Sequence, residues 1–177
     1  CSISDKISEI ENSEKLILPG VGHFKMGMER IKSKGLDLCM NELVIEKKTP
    51  ILGICLGMQL MTKFSEEGNI NGLGWIDAKV KFFKFKSDND SLKIPHMGWN
   101  NLIFNSGHGI FSNITDEDLF YFVHSYYVEC SHPKNILSVT NYGLDIISSF
   151  QNENIYGVQF HPEKSHEQGL EILRNFS

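Results

Sequence analysis

Pro50-Ile51-Leu52-Gly53-Ile54-Cys55-Leu56-Gly57-Met58-Gln59 is the stretch on which the rest of the chain turns. An apolar run ends in Gly-x-Cys-x-Gly, and an apolar helical stretch follows. That is the pattern of a buried strand turning sharply into a helix and lifting a nucleophile out of the sheet edge. The glycines permit a strained backbone at Cys55, where bulkier neighbours would clash. The first helical amides then sit behind the sulfur, and together with the positive helix end they stabilise a thiolate and a developing oxyanion. A buried cysteine on an ordinary strand-to-helix turn fits the same residues, so a second signal is needed.

Tyr156-Gly157-Val158-Gln159-Phe160-His161-Pro162-Glu163-Lys164-Ser165 supplies it. A strand-like run ends in His-Pro-Glu, and positions i and i+2 of an extended segment point the same way. Pro162 fixes its own φ and biases His161 toward extended backbone. His161 and Glu163 are therefore expected side by side, the carboxylate orienting the imidazole. Nucleophile, base and orienter make a triad in chain order Cys55, His161, Glu163.

The 177 residues fit one domain with a real core, and 41% hydrophobic with 22% charged residues is ordinary for a soluble globular protein. A net charge of −5 argues against a general nucleic-acid binder. No apolar run reaches the length of a membrane span and no signal-peptide pattern opens the chain. Cys1, Cys39, Cys55 and Cys130 show no Cys-x-x-Cys spacing, so neither a metal nor a redox site is expected. Free thiols in a reducing cytoplasm are the better reading. An N-terminal cysteine whose own amine is the base is a rival nucleophile, and Cys1 is its candidate.

Lys15-Leu16-Ile17-Leu18 reads as a short buried strand ending at Pro19-Gly20-Val21-Gly22, a turn able to present amides to an anion. Phe24, Met28 and Ile31 give a helix that stops near Gly35, and a second helix covers about Leu36 to Lys48. After the elbow a helix is expected from Leu56 to Phe64, with Gln59 on the face nearest Cys55. Ala78 to Lys86 alternates and then slips phase at Phe82-Phe83, as a bulge would cause, with Lys79, Lys81, Lys84 and Lys86 on a solvated face. Ser87 to Ser91 is a polar turn, after which Leu92 to Ile94 returns as a strand. Phe120 to Val128, Leu137 to Thr140 and Ile146 to Phe150 read as further strands. Ser165 and Gln168 form a capping box for a last helix packed inward by Leu170, Leu173 and Phe176.

Gly-Ile-Cys-Leu-Gly-Met-Gln (53–59) with Gln-Phe-His-Pro-Glu-Lys-Ser (159–165) resembles the class I, triad-type glutamine amidotransferases. Pro19-Gly20-Val21-Gly22, Pro95-His96-Met97-Gly98-Trp99-Asn100 and Tyr121-Phe122-Val123-His124-Ser125-Tyr126-Tyr127 resemble one branch closely, the glutaminase subunits of imidazole glycerol phosphate synthases. The likeness runs from about Leu16 to Phe176. It implies one flavodoxin-like α/β domain over residues 1–177, with a mostly parallel central sheet and an antiparallel patch around 78–104. Ligands of such sheets bind at the carboxyl ends of the strands. Relative to the family the chain lacks an opening strand and helix, and its start at Cys1 suggests processing or truncation.

The resemblance also implies roles. L-glutamine is hydrolysed by Cys55, His161 and Glu163, and the oxyanion is held by the Leu56 amide and an amide from Val21–Gly22. Gly53, Gln59 and Glu67 bind substrate, with the backbone of His124, Ser125 and Tyr126 bordering the pocket, so His124 is not the base. Glu67 equally fits a solvated acidic turn. Trp99 and Lys164 lie at the interface with a (β/α)8-barrel synthase subunit, the partner in a heterodimer that turns ammonia into imidazole glycerol phosphate and an aminoimidazole carboxamide ribotide. No cofactor and no metal are implied. Two readings stay open beside it: the same glutaminase feeding a sugar-amidating enzyme of surface-polysaccharide synthesis, and a catalytically silent subunit that only binds its barrel.

Overall fold

The computed structural model describes residues 1–85, 92–105 and 109–177. A short helix α1 (Ile7–Ile10) precedes β1 (Leu16–Gly20). Then come α2 (Phe24–Ser33) and α3 (Leu36–Asn41), which runs on as a π-turn over Glu42–Glu46. The elbow comprises β2 (Ile51–Cys55) and α4 (Leu56–Leu60). It is followed by β3 (Thr62–Ser65), β4 (Ile70–Asn71) and β5 (Ile76–Phe82). Further on lie β6 (His96–Asn101), β7 (Ile103–Phe104), β8 (Leu119–His124) and β9 (Tyr126–Cys130). The chain closes with β10 (Ile136–Asn141), β11 (Asp145–Asn152), β12 (Ile155–Val158) and helix α5 (His166–Phe176).

Among the described residues these elements build an α/β fold around a curled, mixed sheet of ten strands in the order β1-β2-β12-β11-β9-β5-β3-β4, with β10 joined on at β11 and β7 at β10. β6 and β8 pair separately. The strand β2 is buried at every position, as a parallel strand covered on both faces must be. Ile51 joins a core with Phe24, Met28 and Met58 on one side. Leu52 and Ile54 join a second core with Phe122, Phe160 and Ile172 on the other. No helix among the described residues is long and apolar enough to cross a membrane.

Register decides what meets at the sheet edge. Parallel pairing of β1 with β2 puts Gly20 opposite Cys55. Parallel pairing of β12 with β2 puts Val158 opposite Ile54. The turn after Gly20, the elbow and the segment after Val158 therefore emerge side by side, at the carboxyl ends where open sheets hold ligands.

The elbow itself requires absent side chains. Cys55 has φ 53° and ψ −108°, left-handed backbone that a cysteine adopts only under constraint. From there α4 turns back onto the strands so closely that a Cβ on Gly57 would lie 1.7 Å from the Leu18 carbonyl oxygen. A Cβ on Gly53 would meet the Met58 amide nitrogen at 2.7 Å.

Several elements depart from expectation, each for a visible reason. The helix after the elbow stops at Leu60 instead of Phe64, because the Leu73 and Trp75 amides take the Leu60 and Met61 carbonyls at 2.8 and 2.9 Å. Thr62 and Phe64, good strand formers, then extend along β5. The second helix is α-helical only to Asn41 and then widens into its π-turn, where Lys47 and Thr49 amides reach Glu42 and Leu43 carbonyls. There is no bulge at Phe82: pairing with β9 is unbroken from Ala78↔Cys130 to Phe82↔Tyr126, and the slip in phase is the strand's end. Lys79 is exposed and Lys81 pairs with Glu129, while Lys86 and the Ser87–Ser91 turn lie outside the described residues. Leu92 to Ile94 form no strand, and β6 starts only at His96. The run 120–128 is two strands broken at Ser125, one in each sheet. Antiparallel pairing extends well past residues 78–104, through β8 to β12. At α5 there is no capping box, because the Ser165 hydroxyl accepts from the Tyr121 amide at 3.0 Å and donates to the His161 carbonyl at 2.6 Å. Leu170 is exposed, and Ile172 takes the inward place assigned to it.

The glycine constraint gives a direct expectation. Gly57→Ala should cost about 3 kcal/mol or more, the upper part of the range for overpacking, because both neighbours of the new methyl are backbone. Gly27→Ala in α2, where only flexible methyls of Leu60 and Leu56 come near, should stay within about 1 kcal/mol of the parent. Urea unfolding of both variants checks the contrast.

Candidate active site

A cavity of about 350 Å³ opens where the three strand ends meet, within the usual size for a small-molecule site of roughly 300–1,000 Å³. Val21 and Gly22 from the turn after β1 form one wall, with Cys55, Leu56 and Gln59 of the elbow behind. Glu67 and the backbone run Val123 to Tyr126 face them, and His161 and Pro95 complete the lining. The structure thus gathers ten of the sequence-predicted site residues into one place, and their individual geometry says what each can do.

His161 is held by its backbone as well as its ring. Its amide donates to the Tyr121 carbonyl at 2.9 Å, and its carbonyl accepts from Ser165. The Nδ1 atom lies 2.6 Å from Glu163 Oε1, so Nδ1 carries the proton and the carboxylate fixes the tautomer. The route differs from the one expected: His161 is extended, but Pro162–Lys164 form a 3-10 turn that swings Glu163 back to the ring. Because Nδ1 is committed, Nε2 is the nitrogen left for chemistry. It is buried and has no partner among the described residues. A buried ring nitrogen without a partner is costly unless a ligand or a thiol proton completes it.

Cys55 is only 7% exposed, and burial pushes its thiol up to about 11. The Leu56 amide, the Gln159 side chain and Lys164 pull against that, while Glu163 adds to it. The expected stabilisation by the helix end is therefore outweighed, since α4 has barely more than one turn and little dipole to offer. At neutral pH the resting sulfur is a thiol, weakly directed at the Val123 carbonyl 3.9 Å away. It needs a base, and His161 on the same cavity wall is the one with a free nitrogen.

His124 cannot fill that role. Its Nδ1 donates to the Tyr126 carbonyl at 2.8 Å, so its Nε2 must accept from His96 Nδ1 at 3.1 Å. Burial pushes His124 down to about 3 and His96 to about 4, leaving both neutral. Glu67 is half-buried and not merely a solvated turn residue: one oxygen accepts from the Phe24 amide at 2.6 Å at the start of α2, and the residue lines the cavity. Gln59 is buried and donates to the Tyr126 carbonyl at 3.0 Å.

Not every predicted residue reaches the cavity. Gly53 does not line it and acts by letting α4 pack. Cys1 is exposed and away from it. Trp99 and Lys164 lie outside too, but together: Trp99 meets the Tyr121 ring edge-on at 5.8 Å and Lys164 sits over the same ring at 5.9 Å. Trp99 is 44% exposed and stacks on His166. The sequence reading assigned no role to Gln159, whose signal was a polar amide inside an otherwise apolar run that must find partners once buried.

Comparison with known proteins fits this geometry. The family model for glutamine amidotransferase class-I matches residues 2–177. Imidazole glycerol phosphate synthase subunit HisH 2 of Methanococcus maripaludis is 52% identical over 167 residues, covering 94% of this chain and 81% of the relative. The subunit HisH of Leptospira borgpetersenii is 44% identical over 169 residues, 96% of this chain and 83% of the relative. A crystal structure of a glutamine amidotransferase superposes with a TM-score of 0.73 at 18% identity, covering 98% and 84% of the two chains, which speaks to the fold. The chain is a class-I glutamine amidotransferase and belongs to the HisH family of imidazole glycerol phosphate synthase subunits.

Proposed function

We propose that this chain hydrolyses L-glutamine with Cys55 as nucleophile, His161 as base and Glu163 as orienter, and hands the ammonia to a (β/α)8-barrel synthase subunit in a cytoplasmic heterodimer. The observation that carries the reading is the unpartnered Nε2 of His161, left over by the 2.6 Å contact of Nδ1 with Glu163 and lining one cavity with Cys55.

In this reading the Cys55 sulfur attacks the side-chain amide carbon of glutamine while Nε2 of His161 takes the thiol proton. Glu163 stabilises the imidazolium, more weakly than a buried carboxylate would because it is half-exposed. The C–N bond breaks as the imidazolium returns the proton to the departing nitrogen, and ammonia leaves. Water then attacks the glutamyl thioester, its proton passing to Nε2, and glutamate departs with the thiol restored. The Leu56 amide and an amide of the Val21–Gly22 turn hold the oxyanion, each such donor being worth roughly 3–4 kcal/mol where it has been removed elsewhere. Gln59 and Glu67 hold the polar head of glutamine, bordered by Ser125 and Tyr126. Residues 1–177 act as one domain.

The relatives' names support imidazole glycerol phosphate synthesis as the destination of the ammonia, over amidation of a sugar. We place the barrel on the face of Trp99 and Lys164, around Tyr121, which exposes aromatic and apolar surface beside the site. Gly22 has φ 103°, and because a glycine takes either sign of φ readily, we propose that the Val21–Gly22 peptide can face toward or away from Cys55. Partner binding biases that choice only as far as it prefers one state.

Cys55→Ala should abolish glutamine hydrolysis while leaving the fold intact. A glutamine-site affinity label found on Cys1, Cys39 or Cys130 instead of Cys55 would sink the assignment. Members of a triad act as a unit, so Cys55→Ala/His161→Ala should be hardly slower than either single change; additive losses in kcat would count against it. Glutamine turnover by the chain alone should be low, about 100-fold or more below that of the complex if one oxyanion donor is misplaced. Gly22→Val should weaken this dependence on the partner, as read by turnover with and without the barrel subunit.

A further inference from the structure

Gln159 lies one residue past β12 and two before His161, and its side chain is fully buried at 0% exposure. Its orientation follows from its neighbours. The Tyr126 carbonyl can only accept, so the end of Gln59 that meets it is Nε2. The same Nε2 lies 3.0 Å from Gln159, which must therefore present its Oε1. That leaves the Gln159 NH2 group facing the Cys55 sulfur at 3.7 Å. Reversing either amide would set donor against donor or acceptor against acceptor inside the protein.

We propose that Gln159 is a positioning residue for the nucleophile: its N–H donates to Sγ of Cys55, fixes the sulfur at the cavity wall and stabilises the thiolate as it forms. This rests on the reading of Cys55 as nucleophile. A hydrogen bond to an ionised acceptor is roughly twice as strong as one to a neutral acceptor, so the contact favours thiolate over thiol. Favouring the reacting form over the resting one is what lowers a barrier. Of the groups around the sulfur, Leu56, Gln159 and Lys164 act in this direction, while burial and Glu163 oppose it. His161, His124, Glu67 and Tyr126 are the other titratable groups lining the same cavity. Gln159 also disciplines Gln59. With both amide hydrogens of Gln59 committed, only its Oε1 remains for a ligand, so it offers an acceptor to a donor such as the substrate's ammonium group.

The test is the pH profile of Cys55 alkylation by iodoacetamide in the full chain, with the modified cysteine assigned by peptide mass. Gln159→Met keeps length without a donor, and Gln159→Leu is the second variant. In both, the midpoint for Cys55 should rise by about one pH unit, so that alkylation at a fixed pH below it slows about tenfold. In the same variants kcat should fall about tenfold or more, with KM for glutamine changed much less. A profile superimposable on that of the parent in either folded variant overturns the proposal. A Cys55→Ala chain that still turns over glutamine would overturn the nucleophile reading instead, and the alkylation shift in the Gln159 variants would stand apart from it.

Discussion

The approach of α4 to the strands beneath it is the constraint on which the site depends. The helix can reverse onto β2 only because Gly57 lets backbone touch backbone at Leu18 and Gly53 clears the Met58 amide. Gly157 on the neighbouring strand clears Phe150 and the Met58 side chain in the same way. This contact holds Cys55 at a backbone angle that costs on the order of 1–3 kcal/mol when unsupported. The apolar cores on both faces of β2 over-determine the turn and offset that strain. Packing thus sets the position of the sulfur, and the chemistry inherits it.

Electrostatics at the site follow from the same burial. A thiol pushed up to about 11 is protonated at neutral pH, so its attack depends on handing the proton to a base. The base is likewise prepared rather than free, with its orienter at 2.6 Å and its backbone pinned to Tyr121 and Ser165. Ser165 shows how one hydroxyl replaces an expected helix cap with a tie between β8 and the His161 segment. In the proposed mechanism the nucleophile is activated by proton transfer, because the Leu56 amide at the start of α4 stabilises the sulfur less than burial opposes it.

Much of this was legible in the sequence because the deciding features are local. Gly-x-Cys-x-Gly after an apolar run encodes its own strained turn, and His-Pro-Glu encodes its own pair, although the pair closes through a 3-10 turn instead of strand alternation. What was not legible is tertiary. Nothing near Leu60 says that its carbonyl will be claimed by Leu73, so the sequence pattern predicts a helix one turn too long. Likewise Ser165 and Gln168 satisfy the capping pattern, and only the distant Tyr121 amide diverts the serine. The break at Ser125 depends on two sheets meeting, which a single aromatic, β-branched run does not announce. Gln159 sits within the His-Pro-Glu motif's run, but its meaning lies in Gln59 and Cys55, far away in the chain.

The parallel register of β12 with β2 also has a temporal consequence. It joins residues such as Cys55 and Gln159 that are 104 positions apart. Contacts of that separation are formed late, since the intervening chain must be ordered before they return any stability. During synthesis the elbow emerges well ahead of the His161 segment, and domains are completed from the N-terminal side. On the proposed triad, a nascent chain therefore holds its cysteine without a base, chemically mute, and the ability to release ammonia arrives only when folding is all but finished.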